Sequence, residues 1–322
     1  MSHDQIRAKL TELRELAGKS NIDIGREIQD LEKKLSSGGG PLNEAWQRVQ
    51  LARHPDRPTT LEYAKRLFDD FIELHGDRTF ADDPAMVGGI AMFCGVPVTF
   101  FGHQKGKNMK DNLKRNFGMA HPEGYRKALR LARQAEKFGR PIFTFIDTPG
   151  AYPGVAAEER GISQAIAANM KEFAAFKVPI IATVLGEGGS GGAIGIGLAD
   201  MVLMMENAYY TVITPEGCAS ILLRDSTKAP ASAALLKLTP KELLEFKVID
   251  RIVAEPEGGA HKNPDAAAAA LKSELSECLS ELSRKPVDTL LAERQERFLG
   301  MGVFREKEQA RKGLLQRIRE FF

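Results

Sequence analysis

Pro179-Ile180-Ile181-Ala182-Thr183-Val184-Leu185-Gly186-Glu187-Gly188-Gly189-Ser190-Gly191-Gly192-Ala193 is an apolar run that ends in a glycine cluster. The apolar half reads as a buried strand and the glycines as its turn into a helix. Residues without a bulky side chain let another molecule approach the main chain, and a following helix adds the positive end of its dipole. The pattern points to a site where bare backbone N–H groups stabilise a developing oxyanion.

Working outward, Ile142-Phe143-Thr144-Phe145-Ile146 is a second buried strand, ending in Asp147-Thr148-Pro149-Gly150-Ala151-Tyr152-Pro153-Gly154. A helix burying Ile162, Ile166, Met170 and Phe173 joins the two strands. Another, from about Glu123 to Phe138, precedes them, with Ala128, Leu131, Ala135 and Phe138 on one face and Gly139 and Pro141 as stop signals. These are consecutive βα units of an α/β fold, each with a small-residue loop at the carboxyl end of its strand, where such folds bind ligands. Earlier, Gly89–Phe93 and Val96–Phe101 flank Cys94-Gly95 as a hairpin, and Pro97 suggests an edge strand. Later, Met201–Met205 and Tyr209–Ile213 read as strands, and Pro240–Phe246 as a helix leading into Val248–Val253. The tail from Asp265 to Phe322 is Ala-, Leu-, Glu-, Arg- and Lys-rich, hence helical. Two helices are expected over residues 6–35, a joint at Ser36–Pro41, and a second helical region through His75.

Bulk composition narrows the class. The 322 residues are 43% hydrophobic and 27% charged, ordinary for a globular chain. Lys plus Arg is 45 against Asp plus Glu 43, so the net charge of +2 predicts neither nucleic-acid nor membrane-surface binding. Cys94, Cys218 and Cys278 show no C-x-x-C spacing, which argues against a disulfide framework or a zinc site made by this chain. The polar start, Met1-Ser2-His3-Asp4-Gln5, has no apolar signal segment, and the longest apolar stretch contains Asp200 and is too short to span a bilayer. A soluble, cytoplasmic protein is expected.

Several motifs imitate other chemistries. Gly186-Glu187-Gly188-Gly189-Ser190-Gly191 satisfies G-x-G-x-x-G, with Glu206 where a ribose-binding acid would sit. Only about two helical turns fit between Gly192 and Ala199, short for a dinucleotide-binding crossover. Asp147-Thr148-Pro149-Gly150 mimics the D-x-x-G of a GTPase, but no G-x-x-x-x-G-K-[ST] phosphate cradle accompanies it. Ser190 lies between glycines without the elbow spacing of a hydrolase, and no histidine has the context of a base. His103 reads as a solvated surface residue beside a basic run, residues 103–115, that holds five Lys/Arg against one Asp. That run suits a phosphate or carboxylate, or else is a solvated loop.

Taken together, Gly102-His103-Gln104-Lys105-Gly106, Asn116-Phe117-Gly118-Met119, Pro122-Glu123-Gly124-Tyr125-Arg126-Lys127-Ala128, Phe145 to Gly154, Gly186 to Ala193, and Ile213-Thr214-Pro215-Glu216-Gly217-Cys218-Ala219-Ser220-Ile221-Leu222 closely resemble the alpha-subunit family of bacterial acetyl-CoA carboxylase carboxyltransferase. The resemblance runs from about Leu51 to about Pro264. It implies a crotonase-like spiral of ββα units with helical N- and C-terminal extensions. The divisions expected are an N-terminal helical segment (1–40), a helical lead-in (41–80), the carboxyltransferase core (81–256) and a C-terminal helical extension (257–322).

The implied reaction moves a carboxyl group from carboxybiotin, held on a biotin carrier protein, to acetyl-CoA, giving malonyl-CoA, the first committed step of fatty acid synthesis. The implied partners are a beta subunit of similar fold, in an α2β2 assembly, the carrier, and biotin carboxylase; any zinc belongs to beta. Both charges that develop, on a ureido oxygen and on a thioester oxygen, need N–H donors rather than acids. The donors expected here are the backbone N–H groups of Gly191 and Gly192, with Gly150 and Ala151 forming the facing wall. Gly188, Gly189 and Ser190 are assigned to the carboxybiotin pocket, and Lys105 and Lys107 to anionic groups of the carrier or CoA. Gly192→Val is expected to fold and assemble yet lose transfer. A free-standing enoyl-CoA hydratase on the same spiral would instead need a positioned carboxylate, for which Glu158, Glu159 and Glu187 are available.

Overall fold

The structure, a computed structural model, describes residues 41–302; the helices expected over 6–35 and the tail beyond 302 lie outside them. The described chain enters through α1 (Pro41–Ala52) and α2 (Thr60–Leu67). A Thr59–Glu62 capping box starts α2, with Thr59 N donating to Glu62 Oε2 at 2.8 Å. The helical region expected to run through His75 ends at Leu67, because Asp69–Glu73 forms strand β1. There β1 pairs antiparallel with β2 (Met86–Phe93). Gly89 permits that pairing, since a β-carbon on it would fall 1.9 Å from the Ile72 carbonyl oxygen.

The hairpin is as expected: β2 pairs with β3 (Val96–His103), and Phe93 faces Val96 across Cys94-Gly95. Both turn residues have positive φ, +49° and +80°, the mirror-image turn that matches strand twist. Pro97 is not on an edge strand, because β3 also pairs with β4 (Ile142–Thr148). The proline is tolerated because β4 joins only from Thr99 onward, so no partner awaits the N–H that Pro97 lacks.

After α3 (Met109–Lys114), α4 (Pro122–Lys137) returns the chain to β4. Ala128, Leu131 and Ala135 are buried, whereas Phe138, just past the helix end, is 59% exposed rather than part of the buried face. Next, α5 (Val155–Glu159) and α6 (Ile162–Phe173) lead to β5 (Ile180–Gly189), parallel to β4. Every residue of β4 and β5 is buried, which is why both read as unbroken apolar runs.

The eight-residue α7 (Ser190–Gly197) leads to β6 (Met201–Met205), and β7 (Tyr209–Thr211) pairs with the last residues of β5. Then come α8 (Pro215–Leu223), α9 (Ala229–Leu235), α10 (Pro240–Glu245), β8 (Arg251–Val253), α11 (Pro264–Leu282) and α12 (Val287–Leu299). The mixed sheet runs β1-β2-β3-β4-β5-β6-β8, parallel from β3 onward. Phe68, Phe93, Phe100 and Phe143 stack at its centre, with ring separations such as 4.7 Å for Phe68–Phe100.

Candidate active site

The strands β3, β4 and β5 are parallel neighbours, so their carboxyl ends gather His103 to Lys105, Asp147 to Ala151 and Gly186 to Gly192 at one edge. Two glycines make the contact between the last two loops possible. A β-carbon on Gly189 would lie 2.1 Å from Pro149 O, and one on Gly192 would lie 2.5 Å from Gly150 C and 2.7 Å from Ala151 N. The Thr148 hydroxyl braces the facing loop, donating to Gly150 O at 2.6 Å and accepting from Gly150 N at 3.1 Å. Thus Gly150 and Ala151 do face Gly192 at backbone distance. The same closeness rules out Gly192→Val as a silent structural change, because the added side chain lands on the opposite loop.

Gly189 is the N-cap of α7 and has no side chain to cap it, so Gly191 and Gly192 occupy second and third positions with no side-chain acceptor for their N–H groups. Ser190 is exposed and takes a left-handed φ of +49°, uncommon for a residue with a side chain. The helix itself is fixed from behind: buried Asn169 donates through Nδ2 to Gly195 O (3.0 Å) and Tyr125 O (3.1 Å). Beside Ser190 and Gly191 opens an apolar groove of about 460 Å³, walled by Ile194, Tyr210, Val212, Leu236 and Leu243.

The other side of these loops holds a buried ionic cluster. Lys105 Nζ donates to Asp147 Oδ1 (2.7 Å) and Glu187 Oε1 (2.9 Å). Glu187 Oε2 accepts from Arg53 Nε at 2.9 Å and from the Tyr209 hydroxyl, and Arg53 reaches Glu216 at 2.6 Å. Lys107 pairs with Glu62 at 2.7 Å and donates to Arg57 O at 3.0 Å. Each lysine thus has a carboxylate partner, Lys105 in the buried cluster and Lys107 in a half-exposed pair. His103 is fully buried, not solvated; burial and neighbouring Lys105 push its pKa down to about 3, so the ring is neutral. Its ring lies beside the backbone of Gly192 and Phe145.

Burial alone would raise the Glu187 pKa, but Lys105 and Arg53 overcome it and hold the carboxyl down at about 2. The folded value lies below the ordinary 4.5, so this carboxylate's stabilisation is complete above about pH 4.5 and is lost as pH falls toward 2. Denaturant midpoints measured across that window should fall with acid in the native chain. Glu187→Gln should be weaker at neutral pH and flatter below it; an equally steep curve would assign the acid loss elsewhere.

The alternative chemistries fare poorly on this geometry. Gly188 and Gly189, which would be the open phosphate loop of a dinucleotide fold, are paired with Tyr210 and Thr211 of β7. Glu206 is engaged by Glu255 N at 3.0 Å. Of the hydratase candidates, Glu158 and Glu159 are exposed and Glu187 is fully bonded.

Solved structures share this architecture. The chain aligns with transcarboxylase 12S at TM-score 0.57 and 19% identity, covering 70% of this chain and 41% of that one. It aligns with a chain of a Pseudomonas malonate decarboxylase hetero-tetramer at TM-score 0.55 and 20% identity, covering 74% and 92%. The fold is therefore the α/β crotonase-like one. A family model described as acetyl co-enzyme A carboxylase carboxyltransferase-like matches residues 2–302, well beyond the Leu51–Pro264 span of the sequence blocks. The "acetyl-coenzyme A carboxylase carboxyl transferase subunit alpha" of Treponema denticola is 53% identical, covering 92% of this chain and 97% of that protein. A protein of the same name from Thermus thermophilus is also 53% identical, covering 92% and 96%. The chain belongs to the acetyl co-enzyme A carboxylase carboxyltransferase-like family.

Proposed function

We propose that this chain is the alpha half of an acetyl-CoA carboxylase carboxyltransferase, making malonyl-CoA from acetyl-CoA with a carboxyl group delivered on biotin. The observation that carries the reading is the pair of uncapped amides at Gly191 and Gly192, set against Gly150-Ala151 with no free acid or base beside them. Its catalytic core is the crotonase-like region, 81–256, with helical pieces before and after it. The lead-in, 41–80, also lends β1 to the sheet.

The groove beside Gly191 fits a compact, mostly apolar bicyclic ligand bearing a carboxyl group: its named walls are apolar or aromatic, no carboxylate lines it to repel that group, and amide donors stand at one end. Biotin, presented on its carrier, would supply the carboxyl group from a ring nitrogen, gather charge on its ureido oxygen as that N–C bond breaks, and take the methyl proton of acetyl-CoA on the freed nitrogen. The Gly191 and Gly192 amides donate to that oxygen, aided by the helix dipole behind them. Ile194 and Tyr210 exclude water from the donors, which strengthens each bond in the lower dielectric. Gly189 lets the turn sit against Pro149, Gly188 packs beside Tyr210 behind the groove, and Ser190 forms the rim.

A partner beta subunit supplies the CoA side and any zinc, consistent with relatives named as subunits of a larger enzyme. An α2β2 assembly served by the biotin carrier and biotin carboxylase in the cytoplasm completes the proposal. Among the described residues no helix is long and apolar enough to cross a membrane. The test mixes this chain with a candidate beta subunit, biotinylated carrier, biotin carboxylase, ATP, bicarbonate and acetyl-CoA. Malonyl-CoA should form only when both carboxyltransferase chains are present; none with both, or equal yield from one alone, overturns the assignment.

A further inference from the structure

The strand that carries the glycines changes register just before it reaches them. Along β4 and β5, Ile142 through Ile146 pair in step with Ile180 through Val184, but Thr148 then pairs with Gly188. Asp147 alone therefore lies opposite Leu185, Gly186 and Glu187, a bulge with two extra residues. At the same place β5 exchanges its other neighbour, from β6 at Val184 to β7 at Glu187. Without this step, Gly189 and Gly192 would not lie against Pro149 and Gly150.

Backbone groups that a bulge removes from the ladder need other partners. Side chains provide them here. Asp147 Oδ1 accepts from Glu187 N at 2.9 Å, and the Arg57 guanidinium donates to Leu185 O at 2.8 and 2.6 Å. Gly186 fills the middle, where a β-carbon would meet Asp147 Oδ1 at 2.7 Å and Ala52 O at 3.0 Å. Lys105, two residues past β3, then joins the Asp147 and Glu187 carboxylates across the bulge.

The recorded bonds of Lys105, Asp147 and Glu187 run to other side chains or to the bulge backbone rather than to the Gly191 or Gly192 amides. Lys105, Asp147 and Glu187 thus spend their charges on one another, at the wall of a cavity of about 330 Å³ that also takes in Arg53, Arg57 and Pro149. We infer that they are positioning residues: an ionic clamp that holds the β5 bulge and so sets the Gly189–Gly192 turn at its working distance from Gly150-Ala151. This rests on the proposed carboxyl transfer, in which a displacement of about 1 Å in the donors costs on the order of 10²-fold in rate.

The experiment uses the reconstituted two-chain enzyme with carrier and acetyl-CoA, and compares wild type, Lys105→Met and Lys105→Arg, each normalised to folded protein from its denaturation curve. For Lys105→Met, kcat should fall by about 10²-fold while KM for acetyl-CoA and for carrier stays near wild type. Lys105→Arg, which can still bridge two carboxylates, should recover most of the loss. Should Lys105→Met fail to fold, Glu187→Gln, which keeps the side-chain shape, must show the same split between kcat and KM. A kcat per folded molecule equal to wild type, or a loss carried by KM alone, overturns the clamp. An inactive wild-type mixture overturns the carboxyltransferase reading instead, so the two failures are separable.

Discussion

Gly191→Pro is expected to reduce carboxyl transfer by ~10²- to 10³-fold, the usual cost of losing one oxyanion donor, while the chain still folds and assembles. The substitution deletes one N–H; because a following proline also disfavours the left-handed φ of +49° at Ser190, activity is taken per folded molecule from the denaturation curve. Gly191 is the second residue of α7, in the first turn, where a helix makes no use of that N–H and where proline is tolerated. A β-carbon there meets only Ile166 Cδ1, at an ordinary 3.6 Å. Gly191→Ala is the matched control, because it adds the β-carbon and keeps the N–H; its activity should stay near wild type. The loss should appear in kcat with KM little changed, as for a bond that strengthens only in the transition state. Wild-type turnover by the proline chain would remove Gly191 from the donor set. Equal losses in both chains would indicate crowding of the groove instead of a missing donor. Gly192 cannot be probed in this way, since any side chain there displaces Gly150 and Ala151.

The sequence was legible where the signal is local. The two buried strands, the tight hairpin and the short helix after the glycines follow from runs of β-branched residues, turn chemistry and glycine spacing within ten residues or so of each other. Elements decided by distant partners were not. Asp69–Glu73 holds no apolar alternation of its own and becomes a strand only because Gly89 lets β2 approach. Nothing near Pro97 shows that β4 joins β3 only beyond it. The clamp is the clearest case: Glu187 is 82 residues from Lys105 and 134 from Arg53, and Glu216 is 163 from Arg53. The sequence does carry one cue to it. Charged residues set directly at the ends of buried apolar strands, as Asp147 and Glu187 are, must find partners to be buried at all. Lys105, in the basic stretch, is the cation that meets both carboxylates. The burial of His103 is illegible for a related reason, since the residues after it are polar while its ring packs near Tyr125 at the end of β3.

Arg294→Ala is expected to destabilise the chain by about 3–5 kcal/mol, the range for breaking a buried ion pair. Arg294 sits on α12 with 1% of its surface exposed, yet all of its donor nitrogens are used. It forms a two-pronged pair with Asp200 at 2.7 Å on each side, and it donates to the carbonyls of Phe173 (2.9 Å), Phe176 (2.7 Å) and Val178 (3.0 Å). Those carbonyls belong to the end of α6 and the turn into β5, groups that a helix terminus leaves without partners. Asp200 in turn accepts from Ile180 N at 2.7 Å, so a residue of the C-terminal helices fastens the first residue of the strand that ends at the glycines. Alanine would leave a buried carboxylate without its cation and three carbonyls without donors. Lysine should recover little, because one ammonium cannot reproduce a fork that spans both Asp200 oxygens and three carbonyls. Asp200→Asn should cost less alone, and adding it to Arg294→Ala should cost less than the sum, a coupling that a double-mutant cycle in denaturant measures. The ion pair lies at the amino end of β5, the full length of the strand from Gly189, so activity per folded molecule should be unchanged in all these chains. A loss below about 1 kcal/mol would put Arg294 in the class of exposed pairs and would mean that it does not tie α12 to Asp200 and the turn into β5.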